Sequence, residues 1–131
     1  MILVDTSVWI DFFNGADTHE ISIFESSIEN EESITYSGII LQELFQGINH
    51  VKQRKLVENH FVPFFELFPH KSTYLLAARI YRDSKSNGHP IRSSIDCLIA
   101  ALAIENDCRL LHRDRDFKYI EEVSQLKVIK R

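Results

Sequence analysis

The chain has 131 residues, of which 44% are hydrophobic, and a net charge of −4. This length and composition predict one domain, residues 1–131, with a single sizeable core. The negative charge argues against a protein that grips nucleic acid by bulk electrostatics, because phosphate binding usually requires a basic surface.

The first half of the chain alternates between strand and helix patterns. Short apolar β-prone runs predict the strands, and apolar residues at helical spacing predict the helices. In chain order we expect a strand at 2–4, a helix at 8–13 capped by Thr6 or Ser7, a helix opened by a capping box of Asp17 and Glu20, a strand at 34–37, a helix capped by Ser37, a helix at 51–60 and a strand at 64–68.

The second half continues the alternation. The patterns predict a helix at 73–87, a loop at 88–92, a helix at 94–106, a strand at 109–112 and an edge strand at 128–129. Strands that alternate with helices imply a parallel sheet covered on both faces. The predicted fold class is therefore α/β, a three-layer α/β/α arrangement with a short parallel sheet of four to five strands.

One connection in this fold is difficult to place from sequence. If the helix at 73–87 runs antiparallel to the strands, it ends at the opposite rim from the start of the next helix. The chain between Gly88 and Ser93 then has to cross the height of the sheet. About six residues at ~3.3 Å each span roughly 20 Å, which is enough for a short helix. We therefore expect an extended connection here.

Four acidic residues are predicted to meet at one rim of the sheet. Asp5 follows the first strand, Asp114 lies two residues past His112 at the end of the fourth, and Glu43 lies in the helix that leaves the second. Asp96 is in the first turn of a helix that feeds the next parallel strand, so it belongs at the same rim. Ligands of α/β proteins bind at that rim.

Clustered carboxylates need a counter-charge. At about 6 Å and an effective dielectric of about 20, each like-charged pair costs roughly 3 kcal/mol, so six pairs would rival the stability of a small domain. Protons or divalent metals must therefore neutralise the cluster. Carboxylate oxygens suit Mg²⁺ or Mn²⁺, which commonly contact substrate phosphates, so the pattern indicates phosphodiester chemistry.

Each acid also has an ordinary structural explanation. Asp5 can cap a helix, Asp96 can be a favourable charge in a first turn, and Asp114 can be a turn residue. Glu43 lies almost opposite the apolar stripe of its helix, where a solvated glutamate is common. The functional interpretation depends on all four converging at one rim.

Four stretches of the sequence resemble the motifs of a known family. They are Ile2-Leu3-Val4-Asp5-Thr6-Ser7, the segment 37–44 with Gly47, the segment 96–101 and His112-Arg113-Asp114-Arg115-Asp116-Phe117. Their order and spacing resemble those of PIN domains, and most closely the short one-domain VapC-type toxins of prokaryotic toxin–antitoxin pairs. The resemblance spans essentially the whole chain.

This resemblance implies an endoribonuclease that depends on Mg²⁺ or Mn²⁺. By the same resemblance, the catalytic and metal-binding acids are Asp5, Glu43, Asp96 and Asp114. Asp116 would assist from behind these ligands, and Thr6 or Ser7 would orient water at the metal. The family further implies an RNA substrate, a homodimer, and inhibition by a small cognate antitoxin whose tail enters the active-site groove.

Other functions compete with this one. A phosphoacceptor signalling domain would be expected to carry an aspartate after its central strand, whereas Pro69 and His70 follow the strand at 64–68. A non-catalytic RNA- or protein-binding module would keep the fold and use its basic clusters, but the four acids argue against it. A DNA nuclease fits the metal chemistry equally well, and the preference for RNA rests on the resemblance alone.

The remaining features concern the cellular compartment. No signal-peptide pattern and no apolar run near the ~20 residues of a membrane span occur, so we expect a soluble, cytoplasmic protein without membrane contact. Cys97 and Cys108 lack CxxC spacing and are expected to be buried reduced thiols. The six histidines form no HxxxH pair, which argues against a histidine-built metal site.

Overall fold

The structure is a computed structural model that describes residues 1–129. One or two helices follow each of the first four strands in this part of the chain. Their bounds are β1 (Ile2–Val4), α1 (Thr6–Phe13), α2 (His19–Glu29), β2 (Ile34–Ser37), α3 (Gly38–Phe45), α4 (Val51–His60), β3 (Phe65–Leu67), α5 (Lys71–Ser86), α6 (Ser94–Glu105), β4 (Arg109–Leu111), α7 (Asp116–Val123) and β5 (Lys127–Val128).

The five strands form one parallel sheet in the order β3-β2-β1-β4-β5. β1 lies in the centre, where Ile2 pairs with Ile34 on one side and with Arg109 on the other. The residues of β1 are at most 1% exposed, because helices cover both faces of the sheet. The predicted α/β class, with its three layers and a parallel sheet, is confirmed.

An aromatic cluster fixes α1, α2 and the end of α4 on one face of the sheet. The Trp9 ring lies 5.0 Å from that of Phe24 and 4.5 Å from that of Phe61, measured between centroids. Phe61 immediately follows α4 and is 3% exposed, whereas α4 itself buries only Val57. The chain after α4 therefore anchors this helix, which the sequence alone did not place.

Ser37 is the N-cap of α3 as predicted, although its side chain makes no capping hydrogen bond, and the other two helix caps differ from the first choice made from sequence. Asp5, rather than Thr6 or Ser7, is the N-cap of α1, since its side chain accepts the backbone N–H of Ser7. Thr18, rather than Asp17, caps α2. At α1 and α2 the residue that caps the helix has extended backbone geometry and an oxygen within reach of a first-turn amide.

The connection between α5 and α6 is also different from the expected one. The Thr73 hydroxyl in the first turn of α5 donates to Glu105, the last residue of α6. Farther along α5, Tyr81 lines a cavity of about 490 Å³ together with Ser94, the first residue of α6. The two helices are thus antiparallel, and α5 runs in the same direction as the strands. The loop that joins them therefore stays at one rim of the sheet and does not cross its height, contrary to what the sequence had led us to expect.

No helix within residues 1–129 combines the length and apolar character needed to cross a membrane. Cys97 and Cys108 are buried free thiols, as the sequence predicted.

Candidate active site

Asp5 lies where the central strand passes into α1 and is 4% exposed. Its Oδ2 accepts hydrogen bonds from the Ser7 hydroxyl at 2.5 Å and from the Ser7 backbone N–H at 3.1 Å. The Ser7 hydroxyl in turn accepts the backbone N–H of Arg113 at 3.1 Å. Burial raises the pKa of Asp5, and the nearby Glu43 raises it further, while the bonds from Ser7 oppose the shift.

Glu43 projects from α3 toward the same rim. Its Oε1 accepts a hydrogen bond of 2.7 Å from the hydroxyl of Thr6, which is 7% exposed and begins α1. Glu43 is half-buried. It is therefore not the fully solvated glutamate that its position opposite the apolar stripe of the helix could have indicated. The hydroxyls of Thr6 and Ser7 thus each hold one acid, and their predicted role in orienting water stays a prediction.

Asp96 lies in the first turn of α6 and is 9% exposed. Burial and then repulsion from Asp5, Asp114, Glu43 and Asp116 raise its pKa from an ordinary value of 3.8 to about 8. Four other carboxylates therefore act on this one side chain. The four acids that sequence reasoning selected converge at one rim, although they come from four separate parts of the chain.

Asp114 lies in the turn between β4 and α7. Its backbone N–H donates to His112 Nδ1 at 3.2 Å, and its Oδ1 accepts the backbone N–H of Asp116 at 3.0 Å. The His112 ring packs against that of Phe117, with centroids 4.8 Å apart, and Phe117 is fully buried. The turn is thereby fixed on both sides of Asp114.

Asp116 is the first residue of α7 and is 3% exposed. Carboxylate oxygens of Asp96, Asp114 and Asp116 lie within 4.8 Å of one another. Asp116, which was predicted to assist from behind the metal ligands, therefore lies close enough to Asp96 and Asp114 to share a metal ion with them. Its Oδ2 is already engaged by two N–H groups of Arg92, the backbone at 3.2 Å and Nε at 3.3 Å.

Arg92 is the residue of this site that sequence reasoning missed. Its Nη2 lies 3.5 Å from Asp114 Oδ1, so its guanidinium contacts two acids at once. It belongs to the loop before α6, stands apart from other basic residues and matches none of the motifs. The only sequence signal available was its place four residues before Asp96.

The acids fit a divalent metal. Carboxylate oxygens are the hard ligands that Mg²⁺ and Mn²⁺ favour, and those of Asp96, Asp114 and Asp116 lie within 4.8 Å of one another. Burial first, and then repulsion from neighbouring carboxylates, raises the pKa of both Asp5 and Asp96. A divalent cation would relieve this repulsion.

Comparisons with known proteins agree with this architecture. The model of the PIN domain family matches residues 2–123. Ribonuclease VapC11 from Mycobacterium tuberculosis is 32% identical to the chain, and the alignment covers 96% of each protein.

Solved structures give the same fold. VapBC2 from Rickettsia felis, solved bound to a DNA fragment from its promoter, matches 98% of each chain with a TM-score of 0.78 and 19% identity. VapBC-1 from nontypeable Haemophilus influenzae matches 98% of this chain and 97% of its own, with a TM-score of 0.76 and 22% identity.

Proposed function

The chain belongs to the PIN-domain family, and we propose on that basis that it is a divalent-metal-dependent endoribonuclease, the toxin of a toxin–antitoxin pair. The observation that carries the proposal is the meeting of Asp5, Glu43, Asp96 and Asp114 at one rim of the sheet. The hydrogen bond from Thr6 to Glu43 and the repulsion that the other three acids exert on Asp96 support it. A ribonuclease relative aligned over 96% of the chain supports the reaction class.

Asp5, Glu43, Asp96 and Asp114 would hold Mg²⁺ or Mn²⁺. When bound there, such an ion lowers the pKa of water and stabilises the charge on a phosphate under in-line attack. The choice between the two metals is part of the proposal, and the donor set of carboxylate oxygens suits both.

The chain's own residues orient the acids. The Ser7 hydroxyl and N–H fix one oxygen of Asp5. Thr6 does the same for Glu43 through its hydroxyl. Asp116, held by Arg92, supports the turn that presents Asp114, because its backbone N–H donates to the Asp114 carboxylate.

We also propose a cognate antitoxin as the protein partner. The similar solved structures are VapBC assemblies, and one of them is described as bound to promoter DNA. A homodimer stays a prediction from the family resemblance. The location of the protein in the cytoplasm stays an expectation from the sequence.

A cleavage assay tests the substrate class. Purified protein is incubated with end-labelled tRNA, ribosomal RNA and single-stranded DNA of matched sequence, each with Mn²⁺, with Mg²⁺ or with EDTA. We expect internal cuts in RNA only, and only with metal. Equal cleavage of DNA would contradict the RNA preference, and intact RNA in every condition would favour a non-catalytic binding module.

A further inference from the structure

Arg92 is a cation built into an acidic site that is expected to bind cations. Its Nε lies 3.3 Å from Asp116 Oδ2 and its Nη2 lies 3.5 Å from Asp114 Oδ1. Asp114 and Asp116 in turn lie within 4.8 Å of Asp96. The guanidinium therefore shares its carboxylates with the site that a metal would occupy.

The backbone and the side chain of Arg92 make separate contacts. The backbone N–H donates to Asp116 at 3.2 Å, which any residue except proline at this position would preserve. The guanidinium is on the outside, and the side chain is 67% exposed, whereas that of Asp116 is 5% exposed. The side chain can consequently leave the acids without disturbing the buried carboxylate or the loop.

We propose that the Arg92 guanidinium is an internal counter-cation, which a divalent cation displaces from Asp114 and Asp116 and which then binds a phosphate of the RNA substrate beside the acids. Two cations cannot both approach the same carboxylate pair without repulsion. An arginine released at the edge of the site has a planar guanidinium, whose paired N–H groups can donate to two oxygens of one phosphate. The part concerning RNA rests on the proposed function.

This arrangement predicts opposite effects on metal binding and on cleavage. Without the guanidinium, a divalent cation meets less competition, so Arg92→Gln should bind Mn²⁺ roughly three- to tenfold more tightly, after allowance for solvent screening of an exposed charge. Loss of the phosphate contact should lower kcat/KM for RNA about tenfold at saturating Mn²⁺. If Arg92 served only to stabilise the structure, its loss would weaken both Mn²⁺ binding and RNA cleavage.

The test is a calorimetric titration of Mn²⁺ into RNA-free full-length protein, followed by cleavage kinetics on the same samples. Arg92→Lys keeps the charge and should retain wild-type Mn²⁺ affinity while losing part of the activity. Arg109→Gln is the matched control, because it removes an exposed arginine that pairs with Glu32 at the amino-terminal end of β4. It should leave both quantities unchanged.

The outcomes separate this inference from the proposed function. Unchanged or weaker Mn²⁺ binding by Arg92→Gln, beside normal binding by the wild type, would overturn the counter-cation role and leave the nuclease assignment intact. Tighter binding with unchanged kcat/KM would overturn the phosphate contact. If the wild type binds no Mn²⁺ at millimolar concentration, the proposed metal site and this inference both fail.

Discussion

Asp96 combines burial and repulsion in one residue. In the folded protein its pKa is about 8, compared with an ordinary value of 3.8. The native carboxyl therefore holds a proton that the unfolded chain releases, and the metal-free protein loses stability as the pH rises from about 4 to about 8. The other acids at the rim contribute to this shift, so it reflects the whole site.

We predict that Asp96→Asn abolishes metal-dependent cleavage and stabilises the metal-free protein. The substitution keeps the shape of the side chain but removes the charge that its neighbours repel. In EDTA at pH 8 the melting temperature should rise by about 3 °C, and its decline between pH 5 and pH 8 should become shallower. Thermal unfolding followed by circular dichroism measures both. A variant that melts below the wild type at pH 8 would contradict the repulsion argument.

Glu43 and Asp116 are predicted to differ in importance. Glu43 is held by a single hydroxyl and is free to contact a cation, whereas Asp116 accepts the backbone N–H of Arg92, a contact that does not depend on the arginine side chain. We expect Glu43→Gln to leave almost no activity and Asp116→Asn to lose ~10 to 100-fold. Cleavage rates at saturating Mn²⁺ decide the order, and the reverse order would exchange the two assignments.

The sequence reveals the acids of the site but not how they are held. Asp5, Asp96 and Asp114 could be selected because each falls near a strand end or a helix start that local patterns locate, and Glu43 because it lies in the helix that leaves the second strand. Arg92 could not be selected, because its contact with Asp116 joins residues 24 positions apart. Contacts of this kind depend on packing between elements that no local pattern encodes.

At the scale of elements, strand positions were predictable and helix directions were not. The predicted strands at 2–4 and 34–37 coincide with β1 and β2. β1 is apolar throughout, as expected of a buried parallel strand, whereas β2 also contains Thr35 and Ser37. The direction of α5 instead becomes clear only from a contact between distant residues, the hydrogen bond from Thr73 in its first turn to Glu105 at the end of α6. Thr18 was missed as a cap because the neighbouring Asp17 could also have served, and at the start of α1 the sequence offered Asp5, Thr6 and Ser7 without deciding between them.

The link between α5 and α6 gives a prediction for stability. Thr73 is fully buried, its hydroxyl donates to Glu105, and it also accepts the backbone N–H of His70 at 2.9 Å. Thr73→Val should lower the free energy of unfolding by about 1 to 3 kcal/mol, since it leaves both partners without this hydroxyl. Urea denaturation measures the change.

Glu105→Gln is the control for that experiment, because it keeps an acceptor oxygen for Thr73. It should cost less than about half as much as Thr73→Val. Equal losses would mean that the charge of Glu105, and not its hydrogen bond, holds the two helices together.

At the scale of the whole molecule, alternation of strands and helices sufficed to predict the sheet and the rim that carries the site. Parallel strands require crossover helices, and these place strand ends and the start of α6 on one side. The strand order, with β1 in the centre and β3 at an edge, follows from long-range packing and was not available from the sequence.

We predict that expression of the protein without a cognate antitoxin arrests bacterial growth. All four proposed ligand acids are present at one rim, so the isolated chain should be active. Expression of the Asp96→Asn variant at the same level should be harmless. Normal growth with abundant, folded wild-type protein would argue against the toxin assignment while leaving the nuclease chemistry open.

The most direct test of the central claim is the rate of RNA cleavage by wild type, Asp5→Asn and Asp96→Asn over a range of Mn²⁺ concentrations. Asp5 and Asp96 come from different elements, and each is expected to be indispensable if the acids form one metal site. The account predicts cleavage by the wild type that rises with Mn²⁺ and is abolished by EDTA, and no cleavage by either folded variant. Wild-type rates in either variant, or cleavage that persists in EDTA, would contradict it.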